Sequence, residues 1–331
     1  MDRDLEPDPR LICVGANLES QVILEGLIDI RANIIGLVTV PIEKSNNISD
    51  YVDLHPICSE ANINVIDTTD INDHFTLQQI RLLKPDYIFT LGWSQLFGEQ
   101  LLAIPEKYVV GSHPSLLPEG RGRAPIPWTI LQGLKRSGVT LFRMDREIDT
   151  GPVLMQKMFD IPDEAYAMDV YFLAAQNLRS AFCELYVMLK SGQAVEVSQD
   201  IAKASYRAKR SPSDGHIDFN HSAAGIEKLV RAVSKPFPGA YVYHKGKKFY
   251  IWKASLRNIP PYIGTIGQIL TKDKDLLLVQ AKDKPIWLSD FTDDSGSVDI
   301  KYFRMGSRFN YILDDEIYKL WQEIETLKRG K

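Results

Sequence analysis

The 331-residue chain has little that would mark a secreted, metal-binding or membrane-bound protein. Its three cysteines, Cys13, Cys58 and Cys183, are odd in number, far apart and outside any CxxC pair, which disfavours a disulfide scaffold and a zinc site. No segment approaches the roughly 20 consecutive apolar residues of a membrane-spanning helix, and the charged residues 1–10 lack the apolar core of a secretory signal. These absences predict a cytoplasmic protein with no membrane association and no metal.

The chain also lacks an overall basic surplus, an internal repeat and a dinucleotide-binding motif. Its formal net charge of -4 gives no general attraction for nucleic acid. After the first apolar run, residues 14–19 (VGANLE) contain one glycine instead of GxGxxG, which disfavours an oxidoreductase that uses a dinucleotide. With 44% hydrophobic and 25% charged residues, the composition is that of a globular protein long enough for two domains.

Short apolar runs alternate with helical or polar stretches in the first part of the chain. This alternation predicts an α/β fold, a doubly wound, mostly parallel sheet covered by helices on both faces. Ligands of such sheets bind beyond the carboxyl ends of the strands, so the residues after Leu91 and Gly111 are the expected place of chemistry. The predicted strands are residues 11–15, 34–40, 63–66, 87–91 and 108–111.

The second part of the chain has a different pattern. An amphipathic helix over residues 171–189 ends the first domain, and the polar residues 194–220 are typical of a linker. One helix and several short strands then predict a small antiparallel barrel, a C-terminal β-rich, OB-like domain that ends in a helix. The predicted domains are residues 1–193, a linker over 194–220, and residues 221–331. Within the last domain, the predicted helices are 223–233 and 314–328, and the predicted strands are 240–243, 248–252, 265–270 and 276–281.

Residues 111–154 carry most of the predicted chemistry. Gly111 ends a buried strand, so His113 should emerge at the carboxyl edge of the sheet. The strand over residues 138–144 leads to Asp145, Glu147 and Asp149, any of which could approach His113. A carboxylate beside an imidazole raises its pKa and fixes its tautomer, which suits proton transfer near neutral pH. An ordinary loop histidine and a turn-forming aspartate are the alternatives.

Several motifs in this region resemble a known signature. HPSLLP (113–118), RGRAP (121–125), Trp128, GVTLFRM (138–144) and DTG (149–151) resemble the 10-formyltetrahydrofolate-dependent formyltransferases. The segments RSPSDGHIDF (210–219), RAV (231–233), PFPGAY (236–241) and IWKA (251–254) are similar to the members that act on nucleotide-linked amino sugars. The resemblance covers roughly residues 11–255 and implies a formyltransferase-type sheet.

The resemblance implies a reaction and a set of site residues. A formyl group would pass from 10-formyltetrahydrofolate to the primary amine of a nucleotide-linked amino-deoxy sugar through a tetrahedral intermediate. His113 would be the general acid and proton shuttle, and Asp149 would support it. The enzyme would be a cytoplasmic homodimer that serves O-antigen or other surface polysaccharide biosynthesis. The residues that would bind the folate are Gln95, Leu96, Phe97, Arg123, Asp145, Arg146, Glu147, Ile148 and Asp149.

One catalytic position departs from the family pattern. The family has an asparagine two residues before the histidine, where its amide stabilises the oxyanion, and this chain has Gly111. Loss of such a donor costs about 2.7–4 kcal/mol. Ser112 should point away from the face that His113 uses, because side chains alternate along a strand. A backbone N–H, an ordered water or impaired catalysis are the alternatives, and the last would make the chain a non-catalytic folate-binding protein or a hydrolase that releases formate.

The acceptor is inferred from charge. Residues 201–260 contain 12 Lys and Arg against three acids, and Arg207, Lys209 and Arg210 are the residues predicted to bind a diphosphate. Past residue 260 the charges are mixed, which disfavours the RNA substrate of a methionyl-tRNA formyltransferase. The sequence therefore favours a small nucleotide sugar as partner and no nucleic acid.

Overall fold

The computed structural model describes residues 8–46, 48–311 and 313–329. The chain forms two compact units that divide between Arg210 and Ser211. Residues 194–210, the first part of the predicted linker, therefore belong to the first unit.

The first unit is built on a mostly parallel sheet. Its strands are β1 (Leu11–Val14), β2 (Ile34–Thr39), β3 (Val65–Asp67), β4 (Tyr87–Thr90), β5 (Tyr108–His113), β6 (Arg121–Gly122), β7 (Arg136–Arg143), β8 (Val153–Asp160) and β9 (Tyr206–Arg207). Seven of them form one sheet in the order β3-β2-β1-β4-β5-β7-β8. Strands β1 to β5 pair in parallel, and β7 and β8 extend the sheet antiparallel. The predicted doubly wound, mostly parallel sheet is confirmed.

Helices cover both faces of this sheet because its strands are apolar on both sides. They are α1 (Leu18–Asp29), α2 (His55–Glu60), α3 (His74–Leu83), α4 (Glu99–Leu102), α5 (Pro125–Leu131) and α6 (Ala167–Lys190). Neighbouring residues of β4 show the two faces. The ring of Phe89 packs on Phe182 of α6, whereas Ile88 lies in an apolar cluster with Leu77 and Ile80 of α3. Most of this core is apolar, with a few buried polar side chains such as Thr76 of α3 and Thr140 of β7.

The second unit is an antiparallel sheet with one packed helix. Its strands are β10 (Ala240–His244), β11 (Lys247–Ser255), β12 (Ile269–Asp273), β13 (Leu276–Gln280), β14 (Pro285–Asp293) and β15 (Gly296–Ser297), and its helices are α7 (Ala223–Val233) and α8 (Leu313–Arg329). The strand order is β10-β11-β14-β13-β12, with β15 paired to β14. Helix α7 packs on β10, β11 and β14. The predicted C-terminal β-rich domain is confirmed.

Two predictions for the second unit were wrong in detail. The strand expected at residues 265–270 begins at Ile269, because Gly267 has a φ of +78° and the chain turns there. Strand β14 was missed, although it lies at the centre of the sheet. It begins with proline and contains Asp290 and Asp293, which disguise its apolar pattern. In neither unit do the described residues include a helix long and apolar enough to cross a membrane.

Candidate active site

A cleft of about 1070 Å³ opens beyond the carboxyl ends of β4 and β5. Its walls are the segment after β4, the end of β5 and the loop between β7 and β8. The sequence-predicted catalytic and folate-binding residues all line it, although they come from segments far apart in the chain. They are Gln95, Leu96, Phe97, Gly111, His113, Arg123, Asp145, Arg146, Glu147, Ile148 and Asp149.

The imidazole of His113 lies between a carboxylate and a backbone carbonyl. The ring is 5% exposed, and its Nδ1 lies 3.7 Å from Oδ2 of Asp149. Its Nε2 donates a hydrogen bond of 2.9 Å to the carbonyl of Gly120. A carbonyl oxygen can only accept, so the proton on Nε2 is fixed and Nδ1 is the nitrogen that can gain or lose one.

Burial lowers the pKa of His113 below its ordinary value. Removal of the imidazolium from water is the largest cause, and the positive charge of Arg207 acts in the same direction. The carboxylate of Asp149 and the carbonyl of Gly120 oppose them by favouring the protonated ring. The net direction is opposite to the one expected from the carboxylate alone, because desolvation outweighs it. A neutral imidazole at neutral pH follows, ready to accept a proton.

Asp149 is held by a left-handed turn and by a glutamine that the sequence analysis did not single out. Its φ is +58°, and its Oδ2 accepts a hydrogen bond of 2.8 Å from the backbone N–H of Gly122. Gln199 donates from Nε2 to the carbonyls of Asp149 and Gly151, at 2.9 and 2.7 Å. Its Oε1 accepts from the buried guanidinium of Arg121. Any Cβ at Gly151 would collide with the carbonyl of Arg143, so this turn requires glycine.

The carbonyl of Gly120 accepts from His113, and the N–H of Gly122 donates to Asp149. Both groups are held in place by the short pairing of β6 with β9. Arg121 pairs with Tyr206, and Gly122 with Arg207. The Arg207 guanidinium packs directly behind Gly120, where a Cβ would lie 2.9 Å from its central carbon. The same guanidinium donates to the carbonyl of Pro125 and, through its other nitrogen, to Gln132 of the chain following α5. Arg207 thus supports the loop that holds His113 and Asp149.

The three residues predicted to bind a diphosphate are not among the described residues that line the cleft. Arg207 is committed to the contacts with α5. The Arg210 guanidinium lies 5.3 Å from the centre of the Trp128 ring, and Lys209 is exposed. The Trp128 indole also donates to the carbonyl of Ala208. These contacts tie residues 207–210 to the first unit.

Gly111 has no room for the family asparagine. A Cβ at this position would lie 2.7 Å from the ring of Phe142 and 2.9 Å from Cγ of Met144. Phe142 is the residue opposite Gly111 on β7, and its ring is buried. The hydroxyl of Ser112 donates to the carbonyl of Thr90 at 2.9 Å, so it is already committed to β4. Apolar side chains therefore occupy the place of the amide.

The outer part of the cleft combines apolar side chains with ordered polar ones. Leu96 and Ile148 are 64% and 54% exposed at its rim. Gln95 bridges the backbone of Thr69 and Ile71, and Arg123 donates to the carbonyl of Ser94. A flat heteroaromatic ring with amide-like edges would find both apolar contacts and hydrogen-bonding groups here.

Comparison with protein families assigns the chain to a family. Residues 39–180 match the formyl transferase family, and residues 209–307 match the formyl transferase C-terminal domain. Together the two matches span well over half of the chain. The chain therefore belongs to the formyl transferase family, which confirms the resemblance noted in the sequence.

Solved structures of other proteins share the fold. HypX from Aquifex aeolicus in complex with tetrahydrofolic acid has a TM-score of 0.65 at 16% identity, over 92% of this chain and 51% of HypX. WlaRD, a sugar 3N-formyl transferase in the presence of dTDP and 5-N-formyl-THF, has a TM-score of 0.62 at 20% identity, over 86% and 98%. The N-formyltransferase from Helicobacter canadensis, in complex with folinic acid and dTDP-3-aminofucose, has a TM-score of 0.60 at 22% identity, over 84% and 98%. This chain thus spans about half the length of HypX and nearly all of the other two.

Proposed function

We propose that this protein transfers a formyl group from 10-formyltetrahydrofolate to the primary amine of a nucleotide-linked amino-deoxy sugar. The observation that carries the proposal is the pair of His113 and Asp149 at the base of one cleft, with the proton on Nε2 fixed by the carbonyl of Gly120. A neutral imidazole beside a carboxylate is suited to take a proton from an attacking amine and deliver it to a leaving nitrogen.

The outer cleft is the proposed site of the formyl donor. Its volume is slightly above the usual range for small-molecule sites. Its rim offers the side chains of Leu96 and Ile148 for contact with a pterin ring. Gln95, Phe97 and Arg123 would complete one wall, and residues 145–149 the other. Two proteins of the same fold, HypX and WlaRD, are described with folates bound or present, which supports a folate donor.

His113 acts through Nδ1 in this proposal, because Nε2 already holds a proton against a carbonyl. Nδ1 accepts the proton that the amine loses as its nitrogen bonds to the formyl carbon. The resulting imidazolium faces the carboxylate of Asp149, which stabilises it by charge. The same proton then passes to the folate nitrogen as the bond from the formyl carbon to that nitrogen breaks.

A nucleotide sugar is the proposed acceptor, and the cytoplasm, where such sugars are made, is the proposed location. The structure of WlaRD in the presence of dTDP, and that of the Helicobacter canadensis enzyme with dTDP-3-aminofucose, support this acceptor class. The basic segment 201–260 supplies positive charge for a diphosphate, although Arg207 serves the loop instead. Lys209 and Arg210 remain the proposed contacts. The mixed charges past residue 260 disfavour tRNA.

The test is to incubate the protein with 10-formyltetrahydrofolate and a panel of dTDP-, UDP- and GDP-linked amino sugars, and to measure product masses. We expect a gain of one formyl group on one sugar, and loss of that product in His113→Asn. Formylation of charged initiator tRNA instead would overturn the acceptor. Release of formate at the same rate without any amine would identify a hydrolase, and folate binding without turnover would identify a non-catalytic protein.

A further inference from the structure

Helix α8 presents an apolar stripe to solvent. Ile317, Leu320, Ile324 and Leu327 are 54%, 57%, 48% and 72% exposed, and Trp321 beside them is 59% exposed. Single exposed apolar residues are ordinary, but a contiguous row of this kind on one helix marks a binding surface. We call these five residues the α8 stripe.

The spacing of the α8 stripe identifies what it fits. Ile317, Leu320, Ile324 and Leu327 follow one another at intervals of three, four and three residues, which is the a and d pattern of a heptad. Both a positions are isoleucine and both d positions are leucine. A β-branched residue at a with leucine at d favours two parallel helices over three or four.

The charges beside the stripe agree with parallel pairing of two identical helices. Glu323 occupies position g and Lys328 the following position e, so each glutamate would face the lysine of the other helix. Within one chain the exposed Lys328 lies 3.1 Å from the half-buried Glu325, and its flexible ammonium is able to reach both glutamates. Residues 313–329 contain five acids and three bases, a balance that disfavours an anionic membrane surface as the occupant.

We propose that α8 pairs in parallel with α8 of a second copy of this chain. The paired stretch is only about two heptads, so it forms a reversible dimer whose population rises with protein concentration. This pairing is independent of the chemistry in the cleft.

The test is sedimentation velocity and light scattering on the full chain across a wide range of concentration. We expect a monomer–dimer equilibrium, and Ile324→Lys should raise its dissociation constant at least about tenfold by placing two charges in the seam. Gln322→Lys, on the outer face, is the matched control and should leave it unchanged. A chain that stays monomeric at every concentration, or a dimer that Ile324→Lys does not weaken, would overturn the proposal.

A second set of variants tests the orientation of the helices. Ile324→Cys should form an interchain disulfide on mild oxidation because parallel pairing brings both a positions together, whereas Thr326→Cys should not. Glu323→Lys and Lys328→Glu should each weaken the dimer, and the double reversal should restore it. Cross-linking at residue 326 instead of 324, or a double reversal weaker than both single variants, would exclude parallel pairing.

A separate observation concerns the missing asparagine. Thr90, Gly111 and Phe142 form one row across β4, β5 and β7, because Phe89 pairs with Val110 and Gly111 pairs with Phe142. Residues in one row point to the same face, which is also the face of His113, two residues beyond Gly111. Thr90 is therefore the polar side chain of the neighbouring strand beside the place of the amide.

The hydroxyl of Thr90 donates to a weak acceptor, so it is available to donate to a stronger one. Thr90 is 6% exposed and lines the cleft, and among the described residues its Oγ1 donates to Sδ of Met144, at 3.6 Å. A thioether is a weak acceptor on a flexible side chain. Met144 also packs beside Gly111, together with Phe142, so its movement would free the Thr90 hydroxyl and open one side of Gly111.

We infer that Thr90 replaces the family asparagine as the side-chain donor to the formyl oxygen, an inference that rests on the proposed function. As the amine nitrogen bonds to the formyl carbon, the π pair of the carbonyl moves onto its oxygen. The Thr90 O–H then donates to that oxygen, while the amine proton goes to Nδ1 of His113. The pair returns as the bond from carbon to the folate nitrogen breaks.

The test compares Thr90→Val, which keeps the shape, with Thr90→Ser, which keeps the hydroxyl. We expect Thr90→Val to lower kcat by about 10²–10³ with the KM for the folate little changed, and Thr90→Ser to retain most of kcat. Transfer by Thr90→Val at close to the native rate, or equal losses in both variants, would overturn the role of Thr90. If the native chain itself transfers no formyl group, the proposed function fails instead.

Discussion

The structure predicts that an asparagine at position 111 destabilises the protein and does not improve catalysis. An asparagine there would restore the family residue, but its Cβ would meet the buried ring of Phe142 at 2.7 Å. Overpacking of this kind costs about 1–3 kcal/mol. We expect Gly111→Asn to lower the free energy of unfolding by that amount, measured by urea denaturation, without raising kcat.

The matched control for this substitution is Gly111→Asn combined with Phe142→Ala, which removes the ring that the asparagine would meet. Relative to Phe142→Ala alone, the double variant should lose less stability than Gly111→Asn loses relative to the native chain, since the ring is gone although Cγ of Met144 still lies near the new Cβ. A single variant as stable as the native chain would show that Phe142 and Met144 move aside without cost.

The carboxylate of Asp149 influences the protonation of His113, so its removal should shift the pKa of His113 in a defined direction. Its carboxylate raises the pKa of His113 against the larger effect of burial, so Asp149→Asn should lower that pKa further. The neutral ring is the form that accepts the amine proton, so the acidic limb of kcat/KM should move to lower pH. We also expect kcat to fall by about 10²–10⁴, since the imidazolium loses its counter-charge. An acidic limb that stays in place would remove His113 as its origin.

At the scale of an element, the first turn of α1 contains a carboxyl that is held protonated. Burial, with a smaller contribution from the charge of Asp50, raises the pKa of Glu19 to about 8. Between the ordinary carboxyl range and pH 8 the folded chain binds a proton that the unfolded chain has released. Stability should therefore fall as the pH rises, by up to about 1.4 kcal/mol per pH unit from this group.

Glu19→Gln should remove that contribution. We expect urea denaturation at pH values from about 5 to 8 to show a shallower loss of stability in Glu19→Gln than in the native chain. Glu60→Gln, at the exposed end of α2, is the control and should follow the native slope. Equal slopes in all three proteins would show that Glu19 is ionised in the folded chain.

The elements that could be predicted from sequence are those whose own residues decide them. Strands β1, β2, β4 and β5 are short, largely apolar runs that are mostly buried, and α7 was predicted with its observed bounds. Strand β8 lies at the sheet edge, and its residues mostly alternate between partly buried and exposed, so no long apolar run marks it. The pairing of β6 with β9 joins dipeptides 85 positions apart, and nothing local in either dipeptide indicates it.

The candidate site also contains some features that the sequence predicts and others that it does not. His113 and Asp149 could be placed together because both lie in motifs that resemble the family signature, and the structure brings them within 3.7 Å. That Phe142 fills the space over Gly111 depends on the register of β5 against β7, which the sequence does not specify. Gln199 lies outside every motif and acts through contacts with backbone carbonyls, which any residue type can offer.

For the whole molecule, the position of the boundary between the units matters because residues 194–210 support the candidate site. Val197 bridges to Val153 of β8, Gln199 holds the turn at Asp149, and β9 holds the loop around Gly120. Several hydrogen bonds at about 0.5–1.5 kcal/mol each would be lost without this segment. A first domain that ends at residue 193 would therefore lack the contacts that hold His113 and Asp149.

We expect a chain of residues 1–210 to unfold cooperatively and to bind folinic acid with an affinity close to that of the full protein. A chain of residues 1–193 should melt at lower temperature and bind the same ligand at least about tenfold more weakly, since the His113 loop and the Asp149 turn lose their partners. Differential scanning calorimetry and isothermal titration calorimetry measure the two effects. The variant Gln199→Ala in residues 1–210 should fall between the two chains. If both truncated chains bind equally well, residues 194–210 act only as a connection between the units.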